Sequence, residues 1–306
     1  MKNKALLILS LIMMSMVLIG CQQESNTIYV TSYPIQYVAT RLGGEEVDIE
    51  NISNGSTASR STINKSALNR MKSDDIVFRT GQLEPYLSLY TRPIQDKGVQ
   101  IVDLAANSSN YIVNEMVNTR NNSESIDQYR QDSYAWMDPI ILSSMSNTIL
   151  ETLVEHFPQH EELFNERYQQ LKEDLIKLDA AYQRLSKVSS FQMLSMTPSF
   201  SMWSQSYQLD VYPVISSRFG VLPNSQQLEI IYSQVIEKQI HYLVVEPNLP
   251  SSMVELSWQL SEELSLTRLQ LHDLFSLSDA DRLSNRDYLS IMYDNLEVLL
   301  VIAESS

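Results

Sequence analysis

The sequence predicts an α/β protein: two lobes of parallel sheet flanked by helices, joined by one long rigid helix. Three observations carry this. β-prone and helix-prone stretches alternate from Thr27 to Ala303. Between Glu161 and Lys187, apolar side chains fall at Phe164, Tyr168, Leu171, Leu175, Leu178, Tyr182 and Leu185, at alternating spacings of 4 and 3. That is one face of a helix of roughly 25 residues, ~37 Å long. Finally, Ile240-His241-Tyr242-Leu243-Val244-Val245-Glu246 is strongly apolar without strict alternation, as in a strand buried on both faces of a parallel sheet.

The elements follow in order. Thr27 to Ser32 is an opening strand, and Ile35 to Leu42 a helix stopped at Gly43-Gly44. Val47 to Ile52 alternates as a second strand. Asp75 to Arg79 and Gln100 to Asp103 are short strands with a helical stretch, Glu84 to Tyr90, between them. Asn107 to Asp132 is rich in Asn, Ser and Gln and is expected to be a surface loop. Ile140 to Phe157 is a helix that Pro158 separates from the long one. A coiled coil is disfavoured for the long helix, because its heptads continue on neither side. Beyond it come a strand (Ser190 to Met196), a helix (Met202 to Leu209), an extended stretch (Val211 to Ile215) and a helix (Ser225 to Lys238). After the strand ending at Glu246 come a helix (Ser252 to Leu264), a strand (Thr267 to Leu271) and a closing helix (Asp287 to Ala303).

Composition narrows the function. With 43% apolar and 19% charged residues the chain can build a core. Its 37 acidic against 22 basic residues give a net charge of −15, which argues against nucleic acid as a partner. One Cys excludes a disulfide framework, an iron–sulfur cluster and a thiolate zinc site. Seven Gly and no GxGxxG or GxxxxGK[ST] pattern leave out the usual nucleotide loops. No GxSxG elbow and no HExxH is present, so the chain is expected not to be an enzyme. Pairing Ser59 with His272 as nucleophile and base leaves the third member and the oxyanion donors unassigned.

The N-terminus reads as an address. Lys2 and Lys4 precede an apolar run from Ala5 to Ile19 that is short for a ~30 Å bilayer core. The run ends in Leu18-Ile19-Gly20-Cys21, which looks like a bacterial lipobox, with the chain's one Cys where the lipid would attach. A simple secretory peptide and an uncleaved anchor are the alternatives. The lipobox reading gives a signal peptide at 1–20, a tether at 21–26, an N-terminal lobe at 27–157, a linking helix at 158–188 and a C-terminal lobe at 189–306. The protein would then be held at the outer face of the bacterial cell membrane through Cys21, each buried CH₂ of the lipid adding ~0.8 kcal/mol.

Several further segments, in order, resemble one family. They are Thr31-Ser32-Tyr33-Pro34-Ile35, Gly81-Gln82-Leu83-Glu84-Pro85-Tyr86-Leu87, Ala135-Trp136-Met137-Asp138-Pro139, Val244-Val245-Glu246-Pro247, and Asp287-Tyr288-Leu289 through Asn295-Leu296. With the lipobox before them, they are similar to the metal-type solute-binding lipoproteins of ABC importers, which carry zinc or manganese. The resemblance implies a ligand cleft between the lobes, an ABC permease as partner, and a metal site built from His, His, His or Glu, and Asp.

Carried over residue by residue, each of those positions is altered. In Gly55-Ser56-Thr57-Ala58-Ser59-Arg60-Ser61-Thr62-Ile63 the first ligand position holds Ser59. Tyr134 stands two residues before Trp136 at the second, and Thr197 at the third. His272, or Asp273 if the register slips by one, stands at the fourth. Neutral Ser, Tyr and Thr oxygens are poor ligands for a divalent cation. Glu246 is the residue that would rescue a site. The expectation is a receptor of this family with a degenerate metal site and no firmly assigned cofactor. Its cleft, with Tyr33, Tyr134, Trp136, Phe200 and Trp203 nearby, would suit a small, unidentified ligand better than a bare cation, although Trp136 and Phe200 match framework positions of the family and are expected to pack in the core. The alternative is a lipid-tethered interaction or adhesion protein that reuses the fold without a small ligand. Of the other histidines, His156 and His160 flank Pro158 and His241 lies in an apolar strand, so none reads as a ligand.

Overall fold

A computed structural model describes residues 26–81, 83–105, 134–187 and 191–305. The lipobox with Cys21, and the whole of the expected surface loop at 107–132, lie outside these. No helix among the described residues is long and apolar enough to cross a membrane.

Two four-stranded parallel sheets define the two lobes. The first uses β1 (Thr27–Val30), β2 (Asp48–Asn51), β5 (Ile76–Arg79) and β6 (Gln100–Asp103) in the order β2-β1-β5-β6. The second uses β7 (Gln192–Ser195), β8 (Asp210–Pro213), β9 (Tyr242–Val245) and β10 (Thr267–Gln270) in the order β10-β9-β7-β8. Every neighbouring pair in both is parallel. Within each lobe the strands thus follow the same order, with a switch point between β1 and β5 and another between β7 and β9. In open α/β sheets, ligands gather beyond the carboxyl ends of the strands at such points. The inner strands are mostly apolar because both faces are covered: Ile28, Val30, Ile76, Val77 and Phe78 have no exposed surface. Edge strands β2 and β10 are only partly buried.

The helices α1 (Tyr33–Gly43), α4 (Pro139–His156), α5 (Glu161–Tyr182), α7 (Ser225–Lys238), α8 (Ser251–Leu264) and α10 (Tyr288–Ser305) take up the expected amphipathic runs. Gly44, at φ 59, ends α1 and returns its N–H to Thr40. Asp138 caps α4 by accepting from Ile140 and Ile141 N–H at 2.8 and 3.0 Å. The expected apolar stripe is the buried face of α5. That helix is 22 residues long and stops at Tyr182, and a 3₁₀ turn at Leu185–Lys187 carries the last apolar step. Before Pro158, Phe157 leaves the helical region at ψ 57 and a 3₁₀ turn, Pro158–His160, joins α4 to α5.

Other expectations need amendment. Glu84 to Tyr90 is not an α-helix: Pro85–Leu89 is 3₁₀, followed by the short α3 (Thr91–Gln95). The sequence reading also lacked a hairpin, β3 (Ser53–Asn54) with β4 (Thr62–Ile63), and three one- to two-turn helices or their bounds. These are α2 (Lys65–Arg70), α6 (Met202–Tyr207, shorter than expected) and α9 (Asp279–Leu283).

One apolar core spans both lobes. It joins Ile28, Val30 and Phe78 of the first sheet, the buried faces of α4, α5 and α10, and Met193 and Val244 of the second. Smaller clusters cover the outer faces of the two sheets. Buried aromatic donors tie the central helices to the lobes. Tyr182 Oη donates to Met292 O at 2.7 Å, Tyr288 Oη to Trp136 O at 2.7 Å, and Trp203 Nε1 to Met137 O at 3.0 Å.

Candidate functional site

Four of the expected positions meet in one small cavity between the lobes. Thr57, Ser59, Tyr134, Thr197, Ile215, Ser217, Gly220, Met253 and Asp273 line a space of about 10 Å³. That is at the threshold for one water molecule.

Each side chain reaches it by a local device. Ser59 lies on a 3₁₀ turn, Ala58–Arg60, inside the β3–β4 hairpin, and Ser61 Oγ braces that turn by donating to Thr57 O at 2.8 Å. Tyr134 precedes the turn Ala135–Met137 and meets the Trp136 ring edge-on at 5.2 Å. Trp136 has no exposed surface and donates from Nε1 to Asp273 O at 2.9 Å. The Trp, Asp and Pro of that motif therefore do structural work: one pins Asp273, and the others start α4.

Thr197 follows β7 and faces Glu246 at the end of β9. Its N–H and hydroxyl donate to Glu246 Oε1 at 2.9 and 2.6 Å, and its hydroxyl meets Ser199 Oγ at 2.5 Å. Ser199 in turn supports Asp273. A chain of carboxyl, hydroxyl, hydroxyl and carboxyl thus runs from Glu246 to Asp273. Burial pushes the Glu246 carboxyl up to about 8, against the pull of Thr197, and the charge of Asp273 adds to the rise. Burial pushes Asp273 up to about 7, opposed by the Phe275 N–H and Ser199. Glu246 does not line the cavity; its Oε2 is buried and has no hydrogen-bond partner.

His272, expected at the cleft with Asp273 as its alternative, does not line it; Asp273 does. Its Nδ1 accepts from Leu274 N–H at 2.8 Å, and its Nε2 lies 3.2 Å from Asp281 Oδ2. With Nδ1 accepting, the ring proton is on Nε2 and points at Asp281. Both nitrogens are in use, so the ring can neither ligate a metal nor serve Ser59 as a base. Burial lowers its pKa, with Asp281 pulling the other way.

Trp136 and Phe200 are fully buried core, as expected of framework residues, and so is Trp203; of the five aromatics named from sequence only Tyr134 lines the cavity. His156 binds Thr152 O through Nδ1 and His160 lies against Phe164, so neither joins a metal cluster. No group of three or more His, Cys, Asp or Glu able to hold a metal occurs among the described residues.

Two features escaped the sequence reading. One is the β8–α7 turn, which brings Ser217 and Gly220 to the cavity. A Gly between Phe219 and Val221, in a chain with only seven, was the available signal. The other is Glu84, at the switch point of the first sheet, where Glu246 stands in the second. Glu84 is 4% exposed, and burial pushes its carboxyl up to about 7 against the pull of the facing Thr31 hydroxyl. Neither of its oxygens completes a hydrogen bond.

Two similar sheets, a shared helical core and a cleft at their switch points define a two-lobed α/β architecture. The chain belongs to the family described as ZnuA, zinc-uptake complex component A periplasmic, whose model matches residues 28–301. It is 21% identical over 308 residues to the zinc-binding lipoprotein AdcA of Streptococcus pneumoniae R6, across 98% of this chain and 60% of that protein. It thus spans less than two thirds of the curated relatives it matches. Among solved structures, Zn(II)-bound AdcA from S. pneumoniae superposes with a TM-score of 0.70 at 18% identity, over 92% of this chain and 58% of that one. A mutant of the laminin-binding adhesin Lmb from Streptococcus agalactiae superposes with a TM-score of 0.72 at 17% identity, over 90% of this chain and 98% of that one.

Proposed function

We propose that this chain is an extracytoplasmic receptor lipoprotein, anchored through Cys21, that works with an ABC permease but does not hold zinc or manganese as a three-imidazole site would. One observation carries the reading. The cleft lining contains Ser59, Tyr134, Thr197 and Asp273, and no imidazole reaches it among the described residues. Zinc sites of three or four protein ligands draw on His, Cys and carboxylate, and one carboxylate with neutral hydroxyls offers little of that. Burial also pushes the Asp273 and Glu246 carboxyls up, to about 7 and about 8, so near neutral pH a cation would compete with a proton. The reading includes no catalytic step.

The test is metal analysis of the soluble mature protein after loading with zinc or manganese and desalting. Retention well below one equivalent is expected. A full equivalent, lost in Asp273→Ala, would overturn the reading.

A second reading has its own support. The cleft offers no room for a molecule of drug size, while the C-terminal lobe exposes Phe219, Val221 and Ile230 on its surface. Such a protein would act by docking a macromolecule, with the lipid as tether. A melting temperature that moves with none of a panel of metals, metal chelates, amino acids and sugars would favour this reading, since any ligand of the native state raises it.

A further inference from the structure

The cleft is narrow because part of the chain lies in it. The β8–α7 connection makes a tight turn in which Gly220 N–H returns to Ser217 O at 3.0 Å and Phe219 N–H donates to Ser217 Oγ at 3.2 Å. The turn is seated on Ser59 of the opposite lobe. A Cβ added to Gly220 would stand 2.9 Å from Ser59 Oγ, 3.0 Å from Met253 Cε and 3.2 Å from Ser59 Cβ. Gly220 also has φ +68, a conformation that disfavours any other side chain. The main chain at Gly220 therefore holds the space just beyond the Ser59 hydroxyl. A longer side chain at position 59 would need that same space.

Nearby bonds hold the two sides together. Ser56 Oγ donates to Asn248 O at 3.1 Å, and Ser276 Oγ donates to Ser56 O at 2.8 Å. The hairpin that carries Ser59 is thus fixed against the C-terminal lobe from two directions, with the turn between.

We infer that the Ser217–Gly220 turn is a built-in occupant of the cleft, and that the Ser59–Gly220 contact sets the size of what the cleft admits, to nothing larger than a water-sized species. This rests on the reading of the cleft as one without imidazole. It adds that the room for an imidazole at position 59 is also gone, so supplying the side chain alone does not restore a zinc site.

The test uses Cys21→Ser protein, which has no thiol of its own. Ser59→Cys, a near-isosteric change, is labelled with a maleimide, and Ser186→Cys on an exposed turn serves as the control. With the turn seated, Ser59→Cys should react about tenfold or more slowly than the control. Reaction at the control rate overturns the inference. A second arm joins Ser59→His, Tyr134→His and Thr197→His with Asp273 retained, and compares zinc affinity with and without Gly220→Val, which cannot sit on position 59. Folding of each variant is checked by circular dichroism and its melting curve. Affinity about tenfold or more tighter with Gly220→Val supports the inference. Equal affinity, or none in either, counts against it. Zinc retention by the wild-type chain would instead sink the proposed function, whatever the labelling rate.

Discussion

Asn295 holds the peptide of His272 on both sides. Its Oδ1 accepts the His272 N–H at 2.8 Å and its Nδ2 donates to the His272 carbonyl at 2.8 Å. Asn295 is on α10 and is 3% exposed, so a buried amide in the last helix fixes the backbone one residue before Asp273. This explains the Asn of the closing helix in chemical terms. Asn295→Asp keeps the acceptor, loses the donor and sets a carboxylate against a carbonyl. It should cost about 2–3 kcal/mol or more in urea denaturation, the penalty of an unsatisfied buried group. A cost near zero would mean that the clamp is dispensable.

The buried carboxyls predict an unusual pH dependence. Glu246, Asp273 and Glu84 are pushed up to about 8, 7 and 7. Each binds its proton more tightly in the folded chain than in the unfolded one, where carboxyls titrate near pH 4. Their contribution is complete below that pH and is lost as the pH rises through the folded values. The melting temperature should therefore fall between about pH 5 and pH 8, opposite to the trend set by ion-paired carboxylates. Glu84→Gln and Glu246→Gln should each flatten the fall. A flat profile in the wild-type chain would refute the assignment.

His272→Ala separates structural from ligand chemistry. Because Nδ1 serves the Leu274 N–H and Nε2 serves Asp281, the substitution should lower stability by about 1–3 kcal/mol. Residual metal retention should not change. A loss of bound metal specific to this variant would return His272 to the cleft.

Removing the Asp138 carboxylate should be costly for a helix cap. Asp138 accepts from two α4 N–H groups and from the Ser206 hydroxyl across to α6. Asp138→Ala is expected to cost about 1–2 kcal/mol, read as a lower melting temperature.

Anchoring is tested in the cell. Cys21→Ser should leave the protein unprocessed or release it from the membrane fraction, and unchanged fractionation with normal processing would refute the lipobox.

The sequence carried the architecture and lost the site by a small margin, for reasons that differ by residue. α7 spans Ser225–Lys238 as expected, because its apolar pattern is long and Asn224 and Gln227 cap each other. The hairpin β3–β4 has two residues per strand, too few for any alternation to be visible. α5 was read past its end because a 3₁₀ turn continues the three-residue step from Tyr182 to Leu185. Ser59, Tyr134 and Thr197 come together in one cavity, while the choice between His272 and Asp273 depends on a single backbone step. Leu274 follows at φ 62, and its N–H turns back to His272 Nδ1 at 2.8 Å, which holds that ring away from the cavity. No local propensity encodes that.

The continuous interior has a mechanical consequence. One unbroken hydrocarbon phase runs from the first sheet through the central helices into the second, so opening the halves like a clamshell would tear it and wet its aromatics.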